Sequence, residues 1–315
     1  MHWKMKQIRR KVEKANIDNV SRTIMYERFY QQNPEIRWSL LAGLVSRNAG
    51  WNMTDLESKW FQQLLTQKYR DLLFHTYERA NWTIFQDVYP QLLWYEYAKT
   101  KKEPQFELLD YLGVSKFMQT EWKYFWKSRN EERLCTALIV NEQYTIEEVV
   151  MKQPLYKENV FSSIIYFLEE HAHMSYVIFP TTMGRVYGLY VRNFKHVKAR
   201  IWLGRQLSSL LFHPIIHEEI YKFSICTVPT GSRRDYEQYM GWSTGNTSPR
   251  LREQYPVITH HWYNKKDWSL QESETEQFFS TLPTLRPTER TKWLQRKWAE
   301  LYVLQKVKDL SVGRK

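Results

Sequence analysis

A short loop in the last third of the chain concentrates arginine around a predicted helix start. Residues 230–235 read TGSRRD, and Asp235 follows Ser232 at the spacing of a helix N-terminus. The free N–H groups of such an end suit phosphate or carboxylate, and arginine adds bidentate contacts. The predicted anion site comprises Ser232, Arg233, Arg234, Arg250 and Arg252. Asp235 and Glu237 offer the alternative, in which the arginines are neutralised within the protein.

A second pattern suits a metal ion. His213, His217 and Glu218 have the spacing HxxxHE, and residues four apart share one face of a helix. Both imidazoles would then bind one cation. Pro214, however, is typical of a first helical turn, which would leave His213 at the cap, so that the two rings need not converge. Histidines of the core or of an interface are the alternative, and no cofactor is predicted.

Two weaker patterns carry enzyme chemistry. Residues 241–245 (GWSTG) match the nucleophile elbow around Ser243, but the expected strand before it and helix after it are missing from the pattern. Glu170 and His173 form an ExxH pair of the kind found in di-metal bundles, which need a second such pair. A flexible turn and solvated or core side chains are the alternatives.

A polar segment lies between two apolar stretches. Residues 46–56 read SRNAGWNMTDL, and a helix is predicted to end near residues 48–50. Arg47, Asn48 and Asn52 would line a site at this turn, or they would cap the helix ends that it joins. Thr54 with Glu57 then predicts a capped start of the next helix.

This polar segment also carries a resemblance. Together with Phe212-His213-Pro214 and residues 230–236 (TGSRRDY), it resembles the YppC-like family of Bacillales proteins, whose domain has no known function. The resemblance spans nearly the whole chain. It implies no mechanism.

The elements that position these residues are predicted to be mostly helical, because apolar residues recur at helical spacing. Predicted helices cover 16–32, 36 to about 49, 54–72, a segment to about 99 with breaks near Asn81 and Pro90, 115–128, 131–141, a start at Thr145, 157–172, 196–212, 214–225 and 287–310. A β-hairpin is predicted within 175–192 and a long loop, containing a short helix, over 227–259. The fold class is therefore a mostly α, multi-helix globular bundle with at most one small hairpin.

Composition supports a large core, because the 315 residues include 14 Trp and 21 Tyr. Residues 1–15 are predicted to be a basic tail, 16–310 a single helical domain with a minor boundary near 101–104, and 311–315 a second tail. Two distant cysteines argue against a disulfide framework. No signal peptide or membrane-length apolar run is present, so a cytoplasmic location is expected.

The net charge of +12 lies at the two ends of the chain. Residues 1–14 hold six Lys or Arg and one Glu, and residues 286–315 hold nine Lys or Arg and three acids. The leading hypothesis is a non-enzymatic protein that binds a polyanion, nucleic acid above all, through these ends and the arginine loop. The alternatives are an enzyme with a His/Glu metal site or an Arg-lined phosphate pocket, and an amphipathic C-terminal helix that docks on a partner protein or the periphery of a membrane. Solvated ends without a partner remain the simplest explanation of the charge.

Overall fold

A computed structural model of the protein describes residues 2–152, 176–191, 193–241, 248–261, 266–272, 274–283 and 285–312. The described chain is mostly α-helical with a single two-stranded antiparallel sheet, which confirms the predicted fold class. The helices of the first half are α1 (His2–Ala15), α2 (Asn19–Gln32), α3 (Arg37–Asp55), α4 (Lys59–Leu64), α5 (Gln67–Lys101), α6 (Lys116–Ser128) and α7 (Glu131–Ile146). Strands β1 (Tyr176–Pro180) and β2 (Val186–Tyr190) precede α8 (Val197–Leu211), α9 (His217–Cys226), α10 (Arg234–Glu237), α11 (Leu251–Gln254) and α12 (Thr291–Val312).

The N-terminal segment is a core helix and not the expected tail. In α1, Met5, Ile8, Val12 and Ala15 are buried, while the basic residues between them face outward. These apolar positions recur every three or four residues and form one stripe. The stripe packs on α5, where Asn16, just after α1, donates to the Trp82 carbonyl at 3.2 Å.

Helix α3 continues through the segment where an end was predicted. Gly50, in the stretch where the end was predicted, lies inside the helix. Glycine is needed at this position because a Cβ would lie 2.6 Å from Asn19 Oδ1 and 3.2 Å from the Cα of Gly231. The predicted turn at 46–52 is therefore wrong. The predicted cap at Thr54 is also wrong, because its hydroxyl donates to the Trp51 and Gly231 carbonyls at 3.1 and 2.7 Å.

Helix α5 shows how tertiary packing overrides local signals. It runs without a break from Gln67 to Lys101, although breaks were predicted at Asn81 and Pro90. Proline inside a helix costs about 3 kcal/mol. Its neighbours Phe85, Tyr89 and Leu92 are all buried, and burying each such side chain contributes roughly 1.5–3 kcal/mol.

The predicted helix starts at 115 and 131 are confirmed, and side-chain caps explain them. Ser115 Oγ accepts from Met118 N at 3.3 Å, and Asn130 Oδ1 accepts from Arg133 N at 2.9 Å. Helix α7 outruns its predicted end at 141 and passes into a π-helical turn, Glu147–Met151. Thr145 therefore lies inside a helix, and the cap predicted there is wrong. The predicted helix at 157–172 lies outside the described residues.

The predicted hairpin is confirmed. Strands β1 and β2 pair in register from Tyr176 with Tyr190 to Pro180 with Val186. Gly184 has φ +76° in the connecting turn, a conformation that glycine adopts without strain. The hairpin packs against α3 and α9.

After α9, the described chain consists of short helical turns joined by loops, followed by α12. The long loop over 227–259 contains α10 and α11, four residues each. Helix α12 begins at Thr291, four residues after the predicted start at Pro287, and buries Leu294 and Trp298. One apolar cluster joins residues from Met5 to Trp298 and includes side chains on both sides of 101–104. None of the helices described here has the length and apolar character needed to cross a membrane.

Candidate functional site

The outer side of α1 carries a concentrated positive charge. We call Lys6, Arg9, Arg10, Lys11 and Lys14 the basic face; all five are exposed. Lys6, Arg10 and Lys14 are spaced four residues apart and therefore lie in one line along the helix. Among the residues that the structure describes, no carboxylate lies within ion-pair distance of these five side chains.

The local electrostatics agree with this arrangement. Lys4 lies on the flank of α1, with its Nζ 4.7 Å from the centre of the Tyr97 ring. Burial and then the nearby positive charge of Lys11 lower the pKa of Lys4. The negative charge of Glu96 acts in the opposite direction and favours the charged form of Lys4.

Two aromatic side chains accompany the basic face. Trp3, one turn before Lys6, is 71% exposed, and Tyr111 is 67% exposed. The Arg9 guanidinium donates to the Tyr111 carbonyl and so holds the segment Phe106–Leu112, a 3₁₀-helix, beside α1. Cations and rings therefore share one surface.

Arg233 of the predicted anion site is enclosed within the protein. Its exposed fraction is 1%, and its guanidinium pairs with Asp55 and, at 3.4 Å, with Glu237. The guanidinium carbon lies 3.7 Å from the centre of the Trp298 ring and 5.6 Å from that of Trp60. Burial raises the pKa of Asp55 to about 7, against the opposing effect of Arg233. The arginine therefore stabilises buried carboxylates instead of facing a ligand.

The polar groups around Ser232 are likewise bonded within the protein. Ser232 Oγ donates to the Ser248 carbonyl at 2.7 Å, and Arg233 N donates to Ser248 Oγ at 2.8 Å. Ser232 N donates to Thr230 Oγ1 at 3.2 Å. The helix that follows, α10, has four residues, too few for a substantial macrodipole.

The other three arginines of that prediction point to different partners. Arg252 Nε donates to Asp18 Oδ2 at 2.7 Å, and its Nη2 donates to Ser21 Oγ at 2.9 Å. Burial opposes ionisation of Asp18, but bonds from Arg252 and Ser21 hold the pKa of that carboxyl below its ordinary value. Arg250 pairs with Glu253 at 3.3 Å on the surface, and Arg234 is exposed. The structure does not gather the five predicted residues around one solvent-facing point.

Arg47 and Asn48 join elements that are distant in sequence. Arg47 Nε donates to Glu27 Oε1 at 2.7 Å, and its Nη2 donates to the carbonyls of Ser224 and Thr227 at 2.8 and 2.6 Å. Asn48 Nδ2 donates to the Ile178 carbonyl at 2.8 Å, while its Oδ1 accepts from Ile178 N at 2.9 Å. These two buried side chains hold α9 and β1 against α3.

Asn52, the third member of that predicted site, is half-buried near the end of α3. Its side chain favours the ionised form of the nearby Tyr77 hydroxyl. Burial nevertheless raises the pKa of Tyr77 to about 12. The side-chain partners of Asn52 and Asn48 thus lie in different elements, α5 and β1.

The structure does not bring the predicted metal ligands His213, His217 and Glu218 together. Helix α9 begins at His217 with Ile216 at its cap, so His213 and Pro214 both precede the helix, which starts later than predicted. His213 Nδ1 accepts from Ile215 N at 3.3 Å, and His217 Nδ1 lies 3.0 Å from the Leu211 carbonyl. Glu218 is exposed. Within the described ranges, no three His, Cys, Asp or Glu side chains are arranged to hold a metal ion. The Glu170/His173 pair and Ser243 lie outside the described residues.

A groove of about 440 Å³ opens beyond the C-terminal end of α1. Ile17, Phe74 and Tyr255 line it, and the last two rings stack at 3.8 Å. Its carboxylates have internal partners, because Glu78 accepts from Arg22 at 2.5 Å and Asp18 from Arg252. The groove therefore presents mainly an apolar wall.

Two kinds of relationship were missed from the sequence. The apolar spacing of Met5, Ile8 and Val12 was available and would have predicted a helix at the N-terminus. No local pattern, in contrast, pairs Arg233 with Asp55, because that contact depends on the packing of two distant segments.

Comparison with known proteins agrees with the resemblance noted from the motifs. Residues 14–302 match the model of the family described as "Protein of unknown function (DUF2515)". The chain is 45% identical over 302 residues to a Bacillus subtilis (strain 168) protein described as "Uncharacterized protein YppC", covering 95% of this chain and 93% of that relative. No solved structure matches. Since both matches extend over almost the whole chain, the protein belongs to the DUF2515 family.

Proposed function

We propose that this protein binds a polyanion, and specifically nucleic acid, through the basic face of α1. The observation that carries the proposal is the line of Lys6, Arg10 and Lys14, flanked by Arg9 and Lys11, without a carboxylate partner among the described residues. The buried apolar residues of this helix lie on its opposite side. Arg9 donates to the Tyr111 carbonyl, and the other four cations are available to an external anion.

Binding would be driven mainly by the release of counterions from phosphates. Each phosphate neutralised by Lys or Arg frees condensed cations, so the affinity falls linearly with salt on logarithmic axes. The helix holds the cations on one rigid surface, which reduces the entropy lost on binding. Nothing in this mechanism requires a catalytic group.

The remaining basic residues have smaller parts in the proposal. Lys292 and Arg296 are exposed near the start of α12, and they extend the positive charge of the C-terminal end. Among the arginines of the predicted anion site, Arg234, Arg250 and Arg252 are exposed, but Arg250 and Arg252 already pair with Glu253 and Asp18. The proposal therefore rests on α1 more than on the arginine loop.

A cytoplasmic location suits this activity, because nucleic acid is abundant there. Neither Cys135 nor Cys226 forms a disulfide, as expected in a reducing compartment. Insertion of α1 into a membrane is disfavoured, because its apolar stripe is already buried in the core.

The test is fluorescence anisotropy of labelled DNA and RNA with the variant Lys6→Gln/Arg10→Gln/Lys14→Gln. The matched control is Lys59→Gln/Lys68→Gln/Lys127→Gln, which removes the same charge from three exposed positions on other helices that have no ion-pair partner within the described part of the chain. Deletion of residues 1–14 is unsuitable, because it would remove Met5, Ile8 and Val12 from the core. Circular dichroism and thermal unfolding establish that each variant is folded.

We expect the wild type to bind more weakly as salt rises from about 50 to about 200 mM, and the α1 variant to lose about two units of the salt slope. The control should keep the slope within a fraction of a unit. If both variants lost the same amount of salt slope, the loss would follow from net charge alone, which would contradict a specific role of α1. Absence of binding by the wild type at the lowest salt would refute the proposal.

A further inference from the structure

Trp3 stands apart from the other tryptophans that the structure describes. It is 71% exposed, whereas each of the others in the described ranges is buried or half-buried. Burying a tryptophan removes roughly 150–250 Å² from water, so the folded protein forgoes a large hydrophobic contribution at this position. Folding does not explain the placement of Trp3.

The position of Trp3 relates it to the cations. Trp3, Lys6, Arg10 and Lys14 are spaced by three, four and four residues, which places them on one side of α1. At a rise of 1.5 Å per residue, this line extends over about 16 Å. The indole therefore begins a row of positive charges.

Tyr111 adds a second ring to the same surface. Its side chain is 67% exposed, and its carbonyl accepts from the Arg9 guanidinium. This hydrogen bond holds the Tyr111 backbone beside Arg9 of the basic face. Trp3 and Tyr111 have the largest exposed fractions among the exposed aromatic side chains of the described residues.

We infer that the basic face is a binding site for single-stranded nucleic acid, in which Trp3 and Tyr111 stack on bases while Lys6, Arg10 and Lys14 contact the phosphates. This inference rests on the proposed function and specifies its substrate class. In a duplex the base faces are already stacked on each other, whereas a single strand presents them to aromatic rings. Stacking tolerates any base, so the site would distinguish single strands from duplexes but would not distinguish one base sequence from another.

A membrane surface fits the same residues less well. An interfacial helix buries its apolar stripe among lipids, but here Met5, Ile8, Val12 and Ala15 are buried in the protein. Trp3 alone would remain to enter the bilayer. The pairing of rings with cations favours a flexible strand in which bases and phosphates alternate.

The test compares the dissociation constants of labelled single strands and duplexes of equal length for wild type, Trp3→Ala, Tyr111→Ala and Trp3→Phe. The control is Tyr69→Ala, which removes a tyrosine that is 39% exposed and lies on α5, outside the basic face. Vesicles of phosphatidylcholine with phosphatidylserine provide the lipid arm. Because both target rings are largely exposed, the variants should unfold at the wild-type temperature, which is checked first.

We expect the wild type to prefer single strands, and each alanine variant to weaken that binding at least about fivefold with little effect on duplex. Trp3→Phe should restore most of the affinity, and Tyr69→Ala should bind as the wild type does. Unchanged single-strand affinity in both alanine variants would overturn the inference. If binding then still depended on Lys6, Arg10 and Lys14, the polyanion proposal would stand.

Two other outcomes are equally decisive. Absence of binding to either nucleic acid at low salt would overturn the inference together with the proposed function. Binding to vesicles that is lost in Trp3→Ala, without binding to oligonucleotides, would overturn both and assign the surface to lipid.

Discussion

Arg233 and Asp55 form a buried ion pair that joins the start of α10 to the end of α3. Glu237 adds a second carboxylate on the same guanidinium, and the rings of Trp60 and Trp298 enclose it. The same junction contains Trp51, whose Nε1 donates to Asp235 Oδ2 at 3.3 Å. Residues 46–56 and residues 230–236, two of the segments that carry the family resemblance, therefore pack against each other.

Replacing Arg233 with Ala should destabilise the fold by about 3–5 kcal/mol, because two buried carboxylates lose their counterion. The loss should be larger at about pH 8 than at about pH 5, since acid neutralises the stranded carboxyls. Urea unfolding measures the effect, and Arg234→Ala provides an exposed neighbour as control. Wild-type stability in Arg233→Ala would contradict the role assigned to this pair.

Replacing Asn48 with Ala should loosen the hairpin. Asn48 pairs with both the N–H and the carbonyl of Ile178, and losing it leaves those groups without partners at a penalty of about 2–3 kcal/mol. In this variant, amide hydrogens of residues 176–190 should exchange faster than in the wild type, and those of α7 should change less. Asn48→Asp keeps the acceptor for Ile178 N but loses the donor. Its exchange rates at residues 176–190 should lie between those of the wild type and of Asn48→Ala. Unchanged protection of the Ile178 amide in Asn48→Ala would exclude this role.

Replacing Gly50 with Ala should destabilise the protein by about 1–3 kcal/mol, although alanine normally stabilises a helix interior. The added Cβ would lie 2.6 Å from Asn19 Oδ1, and Asn19 is itself bonded to Ser46. Gly43→Ala is the comparison, because the closest atom to its added Cβ would be Glu27 Cγ at 3.3 Å, a milder contact than that at Gly50. Thermal unfolding decides the issue, and a higher melting temperature in Gly50→Ala than in Gly43→Ala would be inconsistent with this packing.

Glu142 should make the stability depend on pH. Burial raises the pKa of this carboxyl to about 7, while hydrogen bonds from Gln143 and Trp38 act against the shift. Because the folded pKa lies above the unfolded one, the folded state binds the proton more tightly, and stability should fall as pH rises from about 4 to about 7.

Glu142→Gln removes this titration and keeps an acceptor for Trp38. We expect it to raise the melting temperature at about pH 8 and to change it little at about pH 5. A series of thermal melts across this range provides the comparison with the wild type. An effect of equal size at both pH values would assign it to packing and not to ionisation.

The elements that were predicted well are those with local determinants. Ser115 and Asn130 cap the helices that follow them, and β-prone residues flank the Gly184 turn. The helix starts and the hairpin could therefore be predicted from a few neighbouring residues. The errors at Gly50 and Pro90 have the opposite origin. At both positions long-range packing outweighs a local breaking signal, and that packing is invisible in a short window.

The candidate site shows the same difference between local determinants and long-range packing. The positive charge of the N-terminal residues could be counted, but its arrangement on one face follows from burying Met5, Ile8 and Val12. The arginines around 233 and 252 looked equivalent in the sequence, yet they lie in different environments. Arg233 is enclosed by two tryptophans, whereas Arg252 anchors α11 to the start of α2. Residue type and spacing therefore identified candidate side chains without revealing which of them face solvent.

Helix α1 separates two constraints within a stretch of fourteen residues. Its inward positions are restricted by volume, because a change of one methylene there disturbs a close-packed core. Its outward positions are unconstrained by packing, so their charge can change with little effect on stability. If the proposed function holds, the affinity of this protein for nucleic acid and its thermal stability should therefore vary independently. A variant library restricted to the outward positions should then alter binding while the folded population stays constant.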